Sequence, residues 1–526
     1  MVSSVFRHGR YTVVVILIVV LIPALVLGLG RSDRTFRKPD TYANPVPLRV
    51  AGLLGKGSGE YATVSPEEVQ GASYLSGSAV LRLPDGRLRY VPPGAKEPVT
   101  VDSEDPGARA ASEESRAWLE RGTVPGRTRE ERRMAERALL DLRLLTQPNG
   151  AALAAPTRGW HYVWPRDASW TAAAFAATGH REESYRILRF LAEAQEDDGG
   201  WEARYRADGA PVLDGRPAQL DAVGWFPWAV WYWSRDAGGE RSAGARTRAL
   251  WPAVRAASDT ASASLGPDGL PPGGPDYWET ATWRPNLGTA APLRTGLRAA
   301  ASLADELGHP EDARRYANAA ARLDLAIDRE FAPHGYPRTT DPGSGADAAI
   351  TFLAPPFAPF EPEVNRAVER AEERLAVPNG GLLPGENWPQ DPTVAWTPET
   401  ALFALSAAAS GDEERAGRHL GWLMDHRTSL GAFPEKVNGE GEPRAAAPLG
   451  WTSAAVLLAL AAEEEPLPVP PAGSAVEDEG TSPLGSSFGG ALIGAGALVA
   501  ATRARWRPQS GSSRPSKPGR RYLPGP

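Results

Sequence analysis

Residues 139–170, LLDLRLLTQPNGAALAAPTRGWHYVWPRDASW, hold the pattern on which the fold depends. Leu and Ala recur at helical spacing up to residue 146, and a new helix is expected from 168. Just before that second helix, His161–Trp170 gathers two Trp, a Tyr, an Arg and an Asp within ten residues. A helix, a loop dense in aromatic and charged side chains, and a second helix form the unit that the rest of the chain repeats.

Upstream, Thr128 and Glu131 fit a capping box that opens the first helix. Downstream, apolar periodicity predicts twelve helices: 129–146, 168–179, 181–196, 218–236, 243–263, 289–307, 311–330, 345–354, 361–376, 398–410, 412–427 and 450–464. Thr397-Pro398 reads as an N-cap with Pro at the first helical position. Twelve helices in consecutive pairs predict an all-α fold, an (α/α)6 toroid of six inner and six outer helices over residues 128–465. Every second loop then opens at one end, where a rigid scaffold positions functional side chains. Those loops are 157–168, 197–217, 266–288, 332–344, 377–397 and 428–449.

The flanks differ. Residues 31–127 read as a small β-rich and irregular cap. Within it, Ala79–Leu83 and Arg87–Val91 form a hairpin around the turn Pro84-Asp-Gly86. PLRVAGLLGKGSGE (47–60) is neither a GxGxxG nor a phosphate-loop pattern and reads as a flexible loop. Residues 1–10 are expected in the cytoplasm, and 11–30, uncharged from Thr12 to Gly30, as a transmembrane anchor. A cleaved signal peptide is the rival reading, but no clear small-residue cleavage site stands there. Residues 466–483 are a Pro-rich acidic linker, and 484–502 a second transmembrane segment. The basic tail 503–526 is placed in the cytoplasm by its Arg residues. The lipid bilayer is thus an expected partner at both ends, with the large central domain on the outer side of the cytoplasmic membrane.

Composition narrows the chemistry. With no Cys, disulfides, thiolate metal sites and Cys nucleophiles are excluded. The net charge of −7 and scattered basic residues give no nucleic-acid surface. The seven His include no metal-type pair, so no metal or cofactor is expected; nothing in the sequence indicates a structural Ca²⁺. Two carboxylates stand out. Glu279 lies in DYWETATW (276–283), where aromatic surroundings can raise a carboxyl pKa and make it a general acid. Glu435 follows Phe433-Pro434 upstream of Trp451, whereas Glu440 and Glu442 lie in a polar run and read as solvated. Two carboxylates across an aromatic-lined cleft suit glycoside hydrolysis, because aromatic rings pack on the C–H faces of sugars. Several of Trp225, Trp228, Trp231 and Trp233 are read as core.

Residues 139–170, LAEAQEDDGGW, QLDAVGWFPWAVW, DYWETATW, GAFPEKV and PLGWTSAAVLLAL follow one another over roughly 139–463. In that order they resemble the catalytic domain of glycoside hydrolase family 15, which holds glucoamylases, glucodextranases and some bacterial trehalases. The resemblance implies an (α/α)6 barrel and a carbohydrate substrate. It implies Glu279 as general acid and Glu435 as general base. It further implies that Arg166 and Asp167 grip the sugar, with Tyr162, Trp164, Asp221, Trp278 and Trp451 around it. Two positions depart from the family: Thr280 stands where a second acid is common, and Leu383-Pro384 where an Arg-Tyr pair is common, with Glu386, Trp388 and Asp391 nearby. The leaving-group side is therefore expected to differ. The function implied is a membrane-anchored inverting glycosidase acting on an α-glucoside or related glycan. The alternative is a catalytically silent (α/α)6 protein that binds a glycan or another envelope component. A lyase or phosphorylase on the same toroid is a third reading; it would need a His or Tyr base, for which His161 is the only nearby His, or a phosphate site, of which there is no sign.

Overall fold

The structure is a computed structural model that describes residues 46–235 and 241–472. These residues all belong to one compact unit. They form α1 (Pro106–Leu119), α2 (Arg129–Leu145), α3 (Pro165–Ala177), α4 (Arg181–Glu193), α5 (Ala222–Arg235) and α6 (Arg241–Ser264). There follow α7 (Leu287–Glu306), α8 (Pro310–Glu330), α9 (Pro362–Leu375), α10 (Thr397–Ala409), α11 (Glu413–Asp425) and α12 (Gly450–Glu464).

Hydrophobic patterning divides α2–α12 into two layers. On α9, Val364, Ala367, Val368, Ala371 and Leu375 are buried, a single stripe at helical spacing. The helices α4, α8 and α11 share this one-sided pattern, whereas α2 is buried on all sides from Arg137 to Leu145. Unlike α9, α3 buries all of Pro165–Ala176 and α12 all of Gly450–Leu460. A helix apolar on every side must be enclosed, so these belong to the inner layer. The inner layer closes on itself: α3 packs on α5, α5 on α7, α10 on α12, and α12 on α3. Between α7 and α10 the ring is completed by a 3-10 turn, Ala348–Leu353, which touches both.

That turn stands where a helix over 345–354 was expected. Asp347 starts it by accepting from the Ala349 N–H, and Pro355-Pro356 follows at once, lacking the N–H donors that a continuing helix needs. The inner helices approach closely at α5 and α7. A Cβ on Gly224 would lie 2.2 Å from the Pro292 carbonyl oxygen, so only glycine fits there. Trp170, Trp225, Trp228, Phe352 and Phe357 fill the centre with mutually tilted rings 4.9–6.2 Å apart. Each such pair contributes about 0.5–1.5 kcal/mol beyond its burial. Trp225, Trp228, Trp231 and Trp233 are all buried, as expected of core residues.

The fold is mostly helical with a few strands, so the all-α expectation holds only in that coarser form. In the N-terminal region, β1 (Gly52–Gly57) and β2 (Glu60–Val64) are an antiparallel hairpin, not the flexible loop expected of 47–60. Gly59 turns that hairpin at φ 72°, and Leu53, Leu54 and Val64 are buried. β3 (Ser73–Tyr74), β4 (Leu81–Arg82), β5 (Leu88–Tyr90) and β6 (Val99–Val101) form a second sheet that includes the expected hairpin. The helix α1 was not anticipated. It starts at an Asp105 N-cap, with Pro106 in its first turn, and buries Ala108, Ala111, Ser115 and Trp118 at helical spacing. A third small sheet, β7 (Ala395–Trp396), β8 (Lys436–Val437) and β9 (Pro443–Arg444), joins two of the barrel's loops.

The capping box at Thr128 and Glu131 is present. The cap expected at Thr397 is not: Trp396 is the N-cap, and the Thr397 hydroxyl instead bonds the Pro434 carbonyl and the Thr452 hydroxyl across the sheet. Among the described residues no helix is long and apolar enough to cross a membrane. The segments 1–10, 11–30, 484–502 and 503–526 lie outside the described residues, as does most of the linker 466–483.

Candidate active site

A cleft with ≈ 780 Å³ of empty space, its open mouth included, lies among the loops of the barrel. Trp164, Arg166, Asp167, Trp278, Glu279, Glu435 and Trp451, drawn from four separate stretches of sequence, all line it. Tyr162 and Asp221 do not. Tyr162 stands behind Trp164, ring centroids 6.3 Å apart, with the Arg204 guanidinium 4.4 Å over its face. Asp221 is fully buried and receives a 3.0 Å hydrogen bond from Arg166 Nη1.

Arg166 and Asp167 occupy the first turn of α3, which Pro165 opens; Trp164, the N-cap residue, makes no side-chain cap. Arg166 donates to Gln219 Oε1 at 2.6 Å as well as to Asp221, and its plane lies 5.1 Å from the Trp451 ring. Its Nε is 3.5 Å from Asp167 Oδ2, an atom that makes no hydrogen bond. Burial pushes the Asp167 carboxyl up to about 6, with Arg166 opposing and Glu279 adding to the rise. The Arg–Asp pair is therefore a loose one. Asp221 and Gln219 are the residues that fix Arg166.

Glu279 lies on the loop before α7 with φ 56°, a left-handed conformation that non-glycine residues seldom adopt. Asp276 holds this turn. Its carbonyl accepts from the Glu279 N–H at 2.8 Å and its carboxylate from the Trp278 N–H at 3.0 Å. Arg338 donates to both Asp276 oxygens at 2.8 Å and stacks 3.7 Å from the Trp278 ring. Tyr277 is tied by its hydroxyl to Asp347 at 2.7 Å. Gly385 makes room for Trp278, since a Cβ there would lie 2.3 Å from the indole. The Glu279 carboxylate accepts from Trp164 Nε1 at 2.6 Å, Gln219 Nε2 at 3.4 Å and Arg216 Nη1 at 2.5 Å. Its surroundings are thus a donor set, not the purely apolar pocket that DYWETATW suggests.

The backbone of Glu435 is held by the small sheet. Its N–H donates to Ala446 O at 2.7 Å and its carbonyl accepts from Thr397 N at 3.1 Å, continuing the β7–β8 register. The side chain is buried in the cleft wall. Around it, Trp278, Trp388 and Trp396 meet edge to face at 4.7 and 5.0 Å, and Lys436 Nζ lies 4.1 Å from the Trp396 ring. Trp451 forms the floor and joins the core through Trp170 at 5.9 Å.

Sequence reasoning missed Arg216, Tyr277, Trp396 and Glu399, all of which line the cleft. For Glu399 the available signal was Thr397-Pro398-Glu399, read only as a helix start. Trp388 also lines it, within the stretch that departs from the family pattern. There, Glu386 turns away to the Ala346 N–H and Arg374, and Asp391 caps the Thr393 N–H. The exposed His161 is not part of the wall; its Nδ1 lies 3.3 Å from the Tyr61 hydroxyl. Among the described residues no group of three or more His, Asp or Glu is arranged to hold a metal ion.

With this geometry in view, the comparisons give the class. Residues 132–356, a little under half of the chain, match the family described as "Glycosyl hydrolases family 15". Glu279 lies inside the matched segment and Glu435 outside it. That segment is thus similar to a family 15 glycosyl hydrolase domain, and the chain is of the glycosidase class. Among solved structures, it resembles a wild-type glycosidase at 21% identity and TM-score 0.54, over 63% of this chain and 96% of the other. A bacterial glucoamylase complexed with acarbose aligns at 19% identity and TM-score 0.57, over 69% of this chain and 60% of the other. The glucoamylase of Saccharomycopsis fibuligera aligns at 14% identity and TM-score 0.54, over 65% and 96%. At these identities the likeness is one of fold. No curated protein sequence matches.

Proposed function

We propose that this chain is an inverting glycosidase for an α-glucoside or related glycan, with Glu279 as general acid and Glu435 as general base. The observation that carries the reading is that both carboxylates line one cleft, together with Arg166, Asp167 and a wall of indole rings. In such a reaction, Glu279 protonates the glycosidic oxygen while Glu435 takes a proton from the water that attacks the opposite face of the sugar. Arg166 and Asp167 orient the hydroxyls of the departing ring's neighbour, the sugar on which the attack occurs. Trp451 supplies the flat floor. A similarly folded glycosidase bound to glucose supports a glucose-sized donor subsite.

The test is release of reducing sugar by the purified full chain from α-glucosides, trehalose and envelope glycans. NMR of the first product formed gives its anomeric configuration. Inversion, with activity lost in both Glu279→Gln and Glu435→Gln, supports the scheme; retention of configuration defeats it.

A second reading is a catalytically silent glycan receptor. It is favoured by Arg216, which donates to Glu279 and so matches its carboxylate, the form that cannot give a proton. Sugar binding without hydrolysis of any substrate would select it. The location at the outer side of the cytoplasmic membrane rests on the uncharged stretches at 12–30 and 484–502 and the basic residues after the second. Protease accessibility of the central domain in intact cells, with the tail protected, tests it.

A further inference from the structure

The two-carboxylate scheme leaves one cleft carboxyl unused. Glu399 stands in the first turn of α10, is 3% exposed, and lines the cleft with Glu435. The β7–β8 ladder sets this pairing. Trp396 is in register with Lys436, and the Thr397 N–H reaches the Glu435 carbonyl two residues before Glu399. One Glu399 oxygen, Oε2, is buried and has no hydrogen-bond partner among the described residues. Buried polar atoms are nearly always paired, so an orphan on a side chain that lines the cleft points to a ligand that completes it.

The groups that act on this carboxyl from other elements include the Tyr277 hydroxyl, on the loop before α7, and three charged side chains. Glu435 belongs to the loop before β8, Asp347 to the start of the 3-10 turn, and Arg166 to α3. Two are acids, and the single cation is already engaged by Asp221 and Gln219. Burial, then the charges of Glu435 and Asp347, push Glu399 up to about 8.

We infer that Glu399 is a further sugar-contacting group of the cleft: as an uncharged acid it donates its O–H to a hydroxyl of the sugar seated against Glu435. This rests on the assignment of Glu435 as the base. An uncharged Glu399 adds no negative charge to the wall it shares with Glu435. As pH rises, ionisation removes the donor and places a second negative charge beside Glu435, so sugar affinity falls.

The experiment uses the full chain and glucose as the probe. An infrared difference spectrum of the parent against Glu399→Gln at about pH 7 is expected to show a carboxylic-acid carbonyl band in the parent. Calorimetry is expected to show glucose affinity in the parent falling about tenfold between about pH 6 and pH 9. In Glu399→Gln, whose carboxamide keeps a neutral donor, that decline is expected to disappear; in Glu399→Ala, binding is expected to be weak throughout. Absence of the acid band, an unchanged pH slope in Glu399→Gln, or no glucose binding by the parent at any pH overturns the inference. Failure of the base assignment shows separately, as hydrolysis that survives Glu435→Gln.

Discussion

On the two sides of the cleft, the chain segments that carry the carboxylates are fixed by different physical means. Glu279 sits in a left-handed turn on an irregular loop, and side chains pin it: Trp164, Gln219 and Arg216 on its own carboxylate, Arg338 and Asp276 beneath it. Glu435 sits beside a short sheet, and backbone hydrogen bonds to Ala446 and Thr397 place it. A carboxylate held by side chains can be retuned or released by changing one partner. The main chain that carries Glu435 moves only when the sheet moves. The difference suits the proposed division of labour, since an acid must lose its proton to substrate and regain it, while a base must keep its place on one face of the sugar.

The sharpest test asks whether the two sides are equal in the reaction despite that difference. Glu279→Gln and Glu435→Gln are each expected to lower kcat about a thousandfold, and the double variant little further, because the two groups act as one unit. Steady-state kinetics on the substrate found in the panel checks this.

The next asks whether the loop side depends on its buried clamp. Arg338→Met leaves Asp276 buried without its cation, and loss of about 3 kcal/mol in stability is expected by chemical denaturation. Displacement of the Glu279 turn is expected to lower kcat about a hundredfold, and Arg338→Lys to recover little, because it cannot bridge both Asp276 oxygens while stacking on Trp278.

On the sheet side the expected effect is smaller. Thr397→Val removes the hydroxyl that ties α10 to Pro434 and Thr452. It is expected to cost about 1 kcal/mol and to leave Glu435 in place, because the Thr397 N–H still bonds the Glu435 carbonyl. A loss as large as that of Arg338→Met would erase the contrast between the two sides.

The smallest effect is on stability against pH. Asp167 is raised to about 6, Asp347 to about 7 and Glu399 to about 8, burial being the first cause in each. Each folded-state value lies above that of the unfolded chain. Their contribution is therefore complete below about pH 4 and is lost as pH rises through 6 to 8. Tm is expected to decline by a few degrees from about pH 5 to pH 8, and less steeply in Glu399→Gln.

Much of this was legible in the chain. The capping box at Thr128, the apolar stripes of the outer helices and the fully apolar inner helices are local patterns, so eleven of the twelve expected helices appear. The segment 348–353 became a 3-10 turn because Pro355-Pro356 removes the donors a longer helix needs. The 52–64 hairpin was obscured by its glycines, which were read as flexibility whereas Gly59 makes the turn. In the cleft, Arg166, Asp167, Glu279 and Glu435 were legible because each lies in a distinctive short motif. Asp221 was placed on the sugar but braces Arg166 from behind, a distinction that depends on which way a side chain points.

By itself, the sequence determined the helical periodicity, the order of the loops and the residue types that can move a proton. Those properties reside in contiguous residues and their spacing. The tertiary structure alone decided that Arg216 would meet Glu279, that Arg338 would brace Asp276, and that Glu399 would share a wall with Glu435. These partners lie between 36 and 63 positions apart in the chain. Only closure of the inner ring brings such segments together, and only their meeting sets the burial and charge that each carboxyl group feels.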